Sequence, residues 1–340
     1  MGTGQDSTRH QPSHESTILV PGSVANLGGG FDTLGVAVQL YLRARIVDVR
    51  DDGGGKLTVV ASAPPVHAGN AMERAFALAA ARTGRRAPSV AVEVESEIPM
   101  AAGLGSSAAA VVAGLRVFER VTRTLTDDEL LALATEVEGH ADNAAPALFG
   151  GLTSVVADEE HHPVALHWTW PDELRLVVAT PAVKLATVKA RAALPDLMPR
   201  RDAIFNLQRV LSLVHALQSG DYDRLREAVG DRWHQPARAS LVPLLAEALA
   251  IEDAAVLGAF LSGAGPSIAL LARHDLPRVE RLLTSMYERA GVAAVVRTLA
   301  VHEGASVVAA GQETTGRTGA GASDLDQMAD ALASARGRTL

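Results

Sequence analysis

The sequence predicts an α+β protein, in which strands and helices are mixed without a strict β-α-β alternation. Val36–Val49 and Ser89–Glu95 alternate apolar and polar residues with the period of two that is typical of half-buried strands. Asn70–Thr83 and Ser106–Thr122 are rich in alanine and carry apolar residues at helical spacing. With 340 residues, the chain is long enough for two domains.

The remaining elements follow the same two periodicities. Strands are predicted at Thr17–Pro21, Lys56–Ala61, Leu152–Ala157, Leu174–Thr180, Gly258–Leu261, Ser267–Ala272, Val292–Ala300 and Gly304–Ala309. Helices are predicted at Thr126–Val137 (capped by Thr126), Ala144–Phe149, Asp202–Gln218, Tyr222–Val229, Leu241–Ala250 and Leu276–Arg289. We expect domains at 17–172 and 173–310, a disordered tail at 1–16, and a flexible tail at 311–340 with a helix over Ser323–Arg336.

The composition excludes several classes of function. The formal net charge of −8 argues against a nucleic-acid surface, which needs clustered Lys and Arg. The absence of cysteine excludes disulfides, cysteine zinc sites and thiol nucleophiles. No segment approaches the roughly 20 apolar residues of a membrane span, and the polar N-terminus has no apolar signal core. We therefore expect a cytoplasmic protein without nucleic-acid or membrane partners.

The strongest chemical signal is the segment Pro99–Ala109, PMAAGLGSSAA, named here the Gly-Ser loop. A period-two strand leads into Gly103 and Gly105, and Ser106 and Ser107 open an apolar helix. Glycines let the backbone approach a bulky anion, and a helix start offers free N–H groups and a positive dipole end. The loop is neither a Walker A motif, since no Lys follows, nor a dinucleotide fingerprint. By itself it fits an anion site and a plain serine-capped turn equally well.

Two further glycine-rich segments accompany this loop. The first glycine segment, Pro21–Val38, places Asn26 and Asp32 around three consecutive glycines. Polar side chains on such a turn are typical of substrate contacts, although Asn and Asp are also ordinary turn formers. The second glycine segment, Leu261–Leu271 (LSGAGPSIALL), brings its backbone close to another group.

In order and spacing, the three segments resemble the signature motifs of the galactokinase, homoserine kinase, mevalonate kinase and phosphomevalonate kinase (GHMP kinase) superfamily. Within it the sequence most resembles the homoserine kinases. Four more blocks are similar to that family: Glu138–Gly151 (EGHADNAAPALFGG), Ala186–Pro195 (ATVKARAALP), Asp202–Arg209 (DAIFNLQR) and His234–Arg238 (HQPAR). The similarity covers roughly residues 17–310, and its departures from the family pattern remove none of the side chains assigned below.

The resemblance implies the two-domain GHMP-kinase fold, with a ribosomal-protein-S5-like N-terminal domain for ATP and a ferredoxin-like C-terminal domain. It implies an ATP-dependent small-molecule kinase with an alcohol acceptor and Mg²⁺. The Gly-Ser loop would hold the triphosphate through Pro99, Met100, Ala101, Ala102, Gly103, Leu104, Gly105, Ser106, Ser107, Ala108 and Ala109. The Mg²⁺ ligands would be Ser106 or Ser107 and an acid, Glu136 in the first place and Glu138 in reserve. Family members are commonly dimers, so the resemblance also makes a homodimer an expectation.

The resemblance implies an amino-acid acceptor. Arg191 and Arg238 match positions that grip a carboxylate, which suits the bidentate fork of arginine. Asn26, Asp32 and Asn143 match positions at the amino and hydroxyl ends, Asp32 being the natural ammonium partner, and Thr187 completes the expected substrate contacts. Asn143 and Asp142 are the expected catalytic residues. Other branches use an Asp here as the base, whereas homoserine kinases place Asn. The base stays open: either phosphate takes the proton without a protein base, or Asp142, His140 or His234 accepts it, and we expect both histidines to be structural.

Three functions are compatible with these motifs. The first is phosphorylation of L-homoserine on the route to threonine. The second is a sister kinase for threonine or another small alcohol, which would keep the Gly-Ser loop and alter Asn26, Asp32, Arg191 or Arg238. The third is a catalytically idle binding protein of the same fold, which would lack the loop serines or Glu136. All these residues are present, which favours the first function.

Overall fold

The computed structural model describes residues 16–310. The strands in this range are β1 (Ser16–Ala25), β2 (Leu34–Arg50), β3 (Leu57–Ala63), β4 (Ser89–Ser96), β5 (Leu152–Ala157), β6 (Pro163–Trp168), β7 (Arg175–Pro181), β8 (Gly258–Leu261), β9 (Ile268–Ala272), β10 (Ala294–Leu299) and β11 (Val307–Ala310). The α-helices are α1 (Ala71–Thr83), α2 (Ser106–Thr122), α3 (Asp127–Glu138), α4 (Ala144–Phe149), α5 (Thr187–Ala192), α6 (Arg200–Ser219), α7 (Leu225–Ala228), α8 (His234–Arg238), α9 (Leu245–Leu249) and α10 (Leu276–Arg289). A 3₁₀ turn, Tyr222–Arg224, precedes α7.

The first sheet has seven strands and is built on the long strand β2. The main order is β11-β1-β2-β4-β3, and β5 pairs with the start of β2 and continues to β6. The pair β3–β4 is parallel and is connected through α1, whereas the other pairs are antiparallel. Because β4 lies inside this sheet and runs into the Gly-Ser loop, that loop starts from a fixed edge.

Helices α1 and α2 cover one face of the first sheet and pack on each other. Asn70 caps α1 by accepting a hydrogen bond from the backbone N–H of Glu73. Phe76 of α1 meets Phe118 of α2 edge to face, with ring centroids 5.3 Å apart, and both side chains are fully buried. This packing fixes α2 in position and thereby the location of its N-terminus.

The second sheet has four antiparallel strands in the order β10-β7-β9-β8. With helices between β7 and β8 and with α10 between β9 and β10, this is the ferredoxin-like topology. Helix α10 packs Val279, Leu283 and Tyr287 against one face of the sheet.

A continuous core joins the two sheets. In β7, Leu176 and Val178 belong to the core of the first sheet, while Val177 and Ala179 belong to the core beneath α10. A strand with buried residues on both faces reads as a continuous apolar run, as β7 does. The second sheet is therefore packed directly on the first unit and does not hang from a flexible linker.

The structure confirms the α+β fold class, and the bounds of α2, α4, α10, β5 and β8 agree with prediction. Strand β6 and helices α5 and α8 were not predicted. The helix predicted over Leu241–Ala250 is limited to Leu245–Leu249, because Leu244 has a left-handed φ of 61°. The segment Tyr222–Val229 divides into the 3₁₀ turn and α7.

The predicted domains at 17–172 and 173–310 stay a prediction. The sheet topology differs from this division at one strand. Strand β11 pairs with β1 and belongs to the first sheet, so the end of the chain's second unit returns to the first. Ser16, predicted within a disordered tail, already belongs to β1. The rest of both predicted tails, with the helix at Ser323–Arg336, lies outside the described residues. Among the described helices, none combines the length and apolarity that crossing a membrane requires.

Candidate active site

A pocket of about 410 Å³ lies where the three glycine-containing segments, the end of α3 and helix α5 meet. Its lining is Asn26, Phe31, Asp32, Ala101, Ala102, Gly103, Gly105, Ser106, Ser107, Ala108, Val137, Glu138, His140, Asp142, Asn143, Leu185, Thr187, Val188, Arg191, Arg238, Gly263, Ala264 and Gly265. Most of the predicted site residues therefore share one cavity, although they come from segments far apart in the sequence.

The Gly-Ser loop delivers the N-terminus of α2 to this pocket. Gly105 precedes the helix with φ of 72°, and the first N–H bonded within the helix is that of Ala109, to the Gly105 carbonyl at 2.8 Å. The N–H groups of Ser106, Ser107 and Ala108 precede that bond and line the pocket. Together with the dipole of a 17-residue helix, they form a site suited to a polyanion.

The loop is fastened to the second glycine segment by backbone contacts. Ser267 donates its N–H to the Ala102 carbonyl at 3.1 Å, and the Ser262 hydroxyl donates to the Gly103 carbonyl at 2.6 Å. A Cβ on Gly103 would lie 2.4 Å from the Ser262 carbonyl oxygen and 2.8 Å from that of Gly265. Gly103 also has φ of 76°, so only glycine suits this crossing.

Asn26 ties the first glycine segment to the second. Its amide nitrogen donates to the Gly263 carbonyl at 3.0 Å, and its oxygen accepts from the N–H of Asp32 at 3.1 Å. Its side chain is buried and lines the pocket. The predicted contact of Asn26 with an acceptor thus has the right location, but both ends of the amide already bind protein groups.

Asp32 and Arg191 form a bidentate ion pair across the pocket, with N–O distances of 2.6 and 2.9 Å. The ring of Phe31 lies against both guanidinium groups of the site, 5.5 Å from the Arg191 Cζ and 5.2 Å from the Arg238 Cζ. The predicted ammonium partner and one predicted carboxylate clamp are therefore paired with each other. Phe31 itself was not predicted as a site residue.

Arg238 is 1% exposed, and within residues 16–310 its hydrogen-bond partners are two carbonyls and an imidazole. Its Nε donates to the Ala190 carbonyl at 3.1 Å, and its Nη1 lies 3.1 Å from the Gly263 carbonyl and 3.3 Å from the His234 Nδ1. Burial, together with the charge of Arg191, lowers the pKa of Arg238 to about 10. Among the described residues, no carboxylate forms an ion pair with it.

His140, Asp142 and Asn143 form a hydrogen-bonded group at the start of α4. The Oδ1 of Asp142 lies 2.6 Å from the His140 Nδ1 and accepts from the Asn143 backbone N–H at 3.0 Å. The Asn143 Oδ1 in turn accepts from the Ser23 hydroxyl at 2.8 Å. Burial opposes protonation of His140, but the hydrogen bond and the charge of Asp142 outweigh it and raise the pKa of His140.

The two acids considered for the metal lie in different surroundings. Glu136 is exposed, forms an ion pair with Arg82 at 2.5 Å and is not in the pocket lining. Glu138 lines the pocket and accepts a hydrogen bond from the Ser107 hydroxyl at 2.7 Å. Two positions along a helix differ by about 200° in direction, so the residue held in reserve faces the Gly-Ser loop and Glu136 faces α1.

A second pocket of about 260 Å³ lies beside the Gly-Ser loop and was not predicted. Its walls are mostly apolar, from β2, β3, β4 and the start of α1, and it shares Ser106 and Ser107 with the first pocket. Of the predicted loop residues, Met100 lines this second pocket, while Pro99, Leu104 and Ala109 line neither. Asn70, which caps α1, also lines the second pocket.

Family comparison agrees with this geometry. The family described as GHMP kinases N terminal domain matches residues 70–151, and GHMP kinases C terminal matches residues 213–295. The chain is 42% identical to the homoserine kinase of Deinococcus radiodurans over 267 residues, which are 78% of this chain and 86% of that protein. It is 39% identical to that of Thermus thermophilus over 266 residues, 75% of this chain and 86% of the relative.

Solved structures give the same grouping. The crystal structure of homoserine kinase from Cytophaga hutchinsonii is similar with a TM-score of 0.76 and 25% identity, covering 91% of this chain and all of that one. The mevalonate kinase of L. major, at 18% identity and a TM-score of 0.62, covers 87% of this chain and 99% of its own and shares the fold. The fold and the site thus define an ATP-dependent kinase of the GHMP class. More narrowly, the chain belongs to the homoserine kinase family.

Gly103→Ala tests the contact between the Gly-Ser loop and the second glycine segment. We expect a markedly lower melting temperature, because the added Cβ meets the Ser262 carbonyl at 2.4 Å. Gly139→Ala is the matched control, since Gly139 has φ of 78° with nothing within 4 Å of its Cβ, and should cost only the left-handed penalty of about 1–2 kcal/mol. Equal losses in thermal unfolding would show that the contact does not constrain the loop.

The pair of His140 with Asp142 predicts a pH dependence of stability. Because the pKa of His140 is raised in the folded state, the stabilisation is complete below the unfolded pKa and is lost as the pH rises through the folded pKa. The gap in unfolding free energy between the wild type and His140→Asn should therefore be larger at about pH 5.5 than at about pH 9. Denaturant titrations measure it, with the exposed His67→Asn as control. A gap that grows with pH would contradict the assignment.

Proposed function

We propose that the chain is a homoserine kinase: it transfers the γ-phosphate of ATP to the hydroxyl of L-homoserine and yields O-phospho-L-homoserine for threonine biosynthesis. The family and the kinase activity follow from relatives at 35–42% identity. One observation in the pocket carries the choice of an amino-acid acceptor. This observation is the buried guanidinium of Arg238, which has no carboxylate among its hydrogen-bond partners in the described residues.

A buried guanidinium that no carboxylate touches is costly, because its charge loses hydration and gains only the longer-range attraction of Asp32, Asp231 and Asp142. Arg238 is in this situation, since its bonds go to two carbonyls and an imidazole. A substrate carboxylate bound in the pocket supplies the missing negative charge. An acceptor without a carboxylate, such as a simple alcohol, would leave the Arg238 charge without a direct partner.

The ion pair of Asp32 and Arg191 supports a zwitterionic substrate. An α-amino acid carries its carboxylate and ammonium on one carbon, so both must find partners close together. Arg191 and Arg238 flank the ring of Phe31, while Asp32 is bonded to Arg191. We assign the two arginines to the carboxylate and Asp32 to the ammonium, and Thr187 to a further contact from the exposed start of α5.

ATP binding is assigned to the two adjoining pockets. The free N–H groups at the start of α2 receive the triphosphate, and the mostly apolar 260 Å³ pocket receives the adenine. The shared residues Ser106 and Ser107 lie where the two parts of the nucleotide would join. In this assignment the terminal phosphate points towards Asp142 and Asn143, on the acceptor side of the first pocket.

The donor set beside the loop fits Mg²⁺. Hydroxyl and carboxylate oxygens are the ligands that this hard cation prefers, and the Ser107 hydroxyl and the Glu138 carboxylate already lie 2.7 Å apart. We assign Ser107 and Glu138 as its ligands, with Ser106 as a further candidate. The bound ion supplies neutralisation of the triphosphate charge, while the protein groups position the reactants.

Asn143 is assigned to orient the substrate hydroxyl for in-line attack on the γ-phosphorus. Asp142 is buried, and its Oδ1 already accepts hydrogen bonds from His140 and Asn143. We therefore assign Asp142 to hold these two residues. The new O–P bond forms as the bond to the ADP oxygen breaks, and the hydroxyl proton passes to a phosphoryl oxygen.

A coupled ADP-release assay with homoserine, threonine, serine and mevalonate tests this function. We expect the highest kcat/KM with homoserine, lower values with threonine and serine, and little activity with mevalonate, which has a carboxylate but no ammonium for Asp32. A preference for threonine would establish the sister kinase. ATP binding without release of ADP by any of these compounds would establish a catalytically idle binding protein and overturn the proposal.

Two glutamates of α3 give a matched test of the metal site. Glu138→Gln should lower kcat by about tenfold or more and raise the Mg²⁺ concentration for half-maximal rate, because a metal-facing carboxylate is lost. Glu136→Gln should leave both within about twofold, since it removes only an exposed ion pair with Arg82. A larger effect from Glu136 than from Glu138 would restore the sequence-based assignment. A cytoplasmic location and a homodimer stay predictions of the sequence.

A further inference from the structure

We propose that His234, as a neutral imidazole with its proton on Nε2, is the positioning residue that aims Arg238 at the substrate carboxylate. The inference rests on the proposed function, which supplies the carboxylate, and assigns to His234 a specific task within it. His234 lies at the start of α8, four residues before Arg238, and its side chain is fully buried.

Two contacts fix the tautomer of His234. Its Nε2 lies 2.7 Å from the Gly28 carbonyl oxygen, and since a carbonyl only accepts, Nε2 carries a hydrogen. Its Nδ1 lies 3.3 Å from the Arg238 Nη1, and since a guanidinium only donates, Nδ1 offers its lone pair. The imidazole thus donates to the first glycine segment and accepts from the arginine.

Burial and the neighbouring guanidinium favour the neutral ring of His234, against the attraction of two nearby carboxylates. Asp231 Oδ2 is 3.6 Å from Nε2, but its carboxylate already accepts hydrogen bonds from Asn206 and from the backbone N–H groups of Trp233 and Gln235. Asp32 acts from a greater distance, and Arg238 repels a second cation. Burial lowers the pKa of His234. If Nδ1 also carried a hydrogen, its N–H would face the Nη1 donor of Arg238, and the two donors would repel each other.

The contact determines which part of Arg238 is free for a ligand. Nη1 is used by His234 and the Gly263 carbonyl, and Nε is used by the Ala190 carbonyl. Of the guanidinium nitrogens, Nη2 alone has no hydrogen-bond partner in the part of the chain that is described. A guanidinium fixed at three contacts loses little freedom when it binds, which lowers the cost of gripping a carboxylate.

His234 therefore connects the two halves of the acceptor site. Gly28 is itself packed closely against the backbone of Val229, since a Cβ on Gly28 would lie 2.1 Å from the Val229 carbonyl oxygen. Through the imidazole, the segment that carries Asp32 also sets the position of Arg238. A purely structural role would need only the bond to Gly28, whereas the proposed role needs the acceptor at Nδ1.

Two variants separate these roles. The Oδ1 of asparagine reaches the place of Nδ1, so His234→Asn keeps an acceptor for Arg238 and loses the bond to Gly28. The Nε2 of glutamine reaches the place of the imidazole Nε2, so His234→Gln keeps the bond to Gly28 and loses the acceptor. We expect His234→Gln to raise the KM for homoserine by about tenfold, with the KM for ATP within about twofold. His234→Asn should stay within about threefold for both substrates.

The opposite ranking, with His234→Asn impaired and His234→Gln normal, would overturn the proposal in favour of a structural tie to Gly28. Unchanged kinetics in both variants would also overturn it. In an Arg238→Ala background, the proposal requires that His234→Gln adds little to the KM for homoserine. An independent full effect there would contradict coupling through Arg238.

Nitrogen-15 NMR of the wild-type imidazole provides a test that needs no stable variant. The ring of His234 must show the neutral form protonated at Nε2 near neutral pH, and an imidazolium there would overturn the assignment. Failure of the proposed function is distinguishable, because the wild type would then show no homoserine-dependent turnover. Failure of the present inference leaves that turnover intact.

Discussion

The close contact of two backbones at Gly103 is the constraint on which the site depends. The Gly-Ser loop and the second glycine segment meet there at distances that exclude any side chain, and Asn26 ties the first glycine segment to the same place through Gly263. The N–H of Ser23 bonds the Leu104 carbonyl at 3.1 Å, so the loop is held from both sides. Because strand β4 and helix α2 are fixed in the first unit, this contact decides where the helix N-terminus opens. It brings the helix N-terminus and the side chains of Asp32, Arg191 and Arg238 into one cavity.

The two sides of the cavity obtain their electrostatic potential from different groups. The start of α2 is positive without any lysine, because its charge comes from oriented N–H groups. The acceptor side uses formal charges instead: Asp32 is paired with Arg191, and Arg238 is buried without a carboxylate. A buried cation that no carboxylate contacts directly destabilises the folded protein. We propose that a bound substrate carboxylate removes this unfavourable free energy. Substrates that carry a carboxylate are then favoured over other alcohols.

The second sheet contributes by being rigidly attached. Strand β7 buries residues on both faces, and β11 returns from the second unit to pair with β1. The arginines on α5 and α8 are therefore presented from a unit that shares a core with the unit bearing the Gly-Ser loop. Such a shared apolar interface limits relative motion of the two sheets. It keeps the acceptor groups in register with the helix N-terminus, which phosphoryl transfer requires.

The sequence by itself determined the local features. Periodicity and capping gave the α+β class and elements such as α2 and α10, and the glycine motifs with the family resemblance named most of the pocket residues. Strand β6 was not predicted, because its sequence lacks a clear alternating pattern. It is an edge strand, and its Val164 and Leu166 side chains are about 40% exposed. Tertiary structure alone decided that Glu138 and not Glu136 faces the Gly-Ser loop. It also decided the location of Phe31 beside two arginines and the bond of Asn26 to Gly263. The contacts of Phe31 and Asn26 join a turn to segments more than a hundred residues away. The contact of Glu138 depends on which face of α3 meets the start of α2. Local propensity carries no information about such long-range packing, and so the sequence determined which groups were available while the fold decided which of them meet.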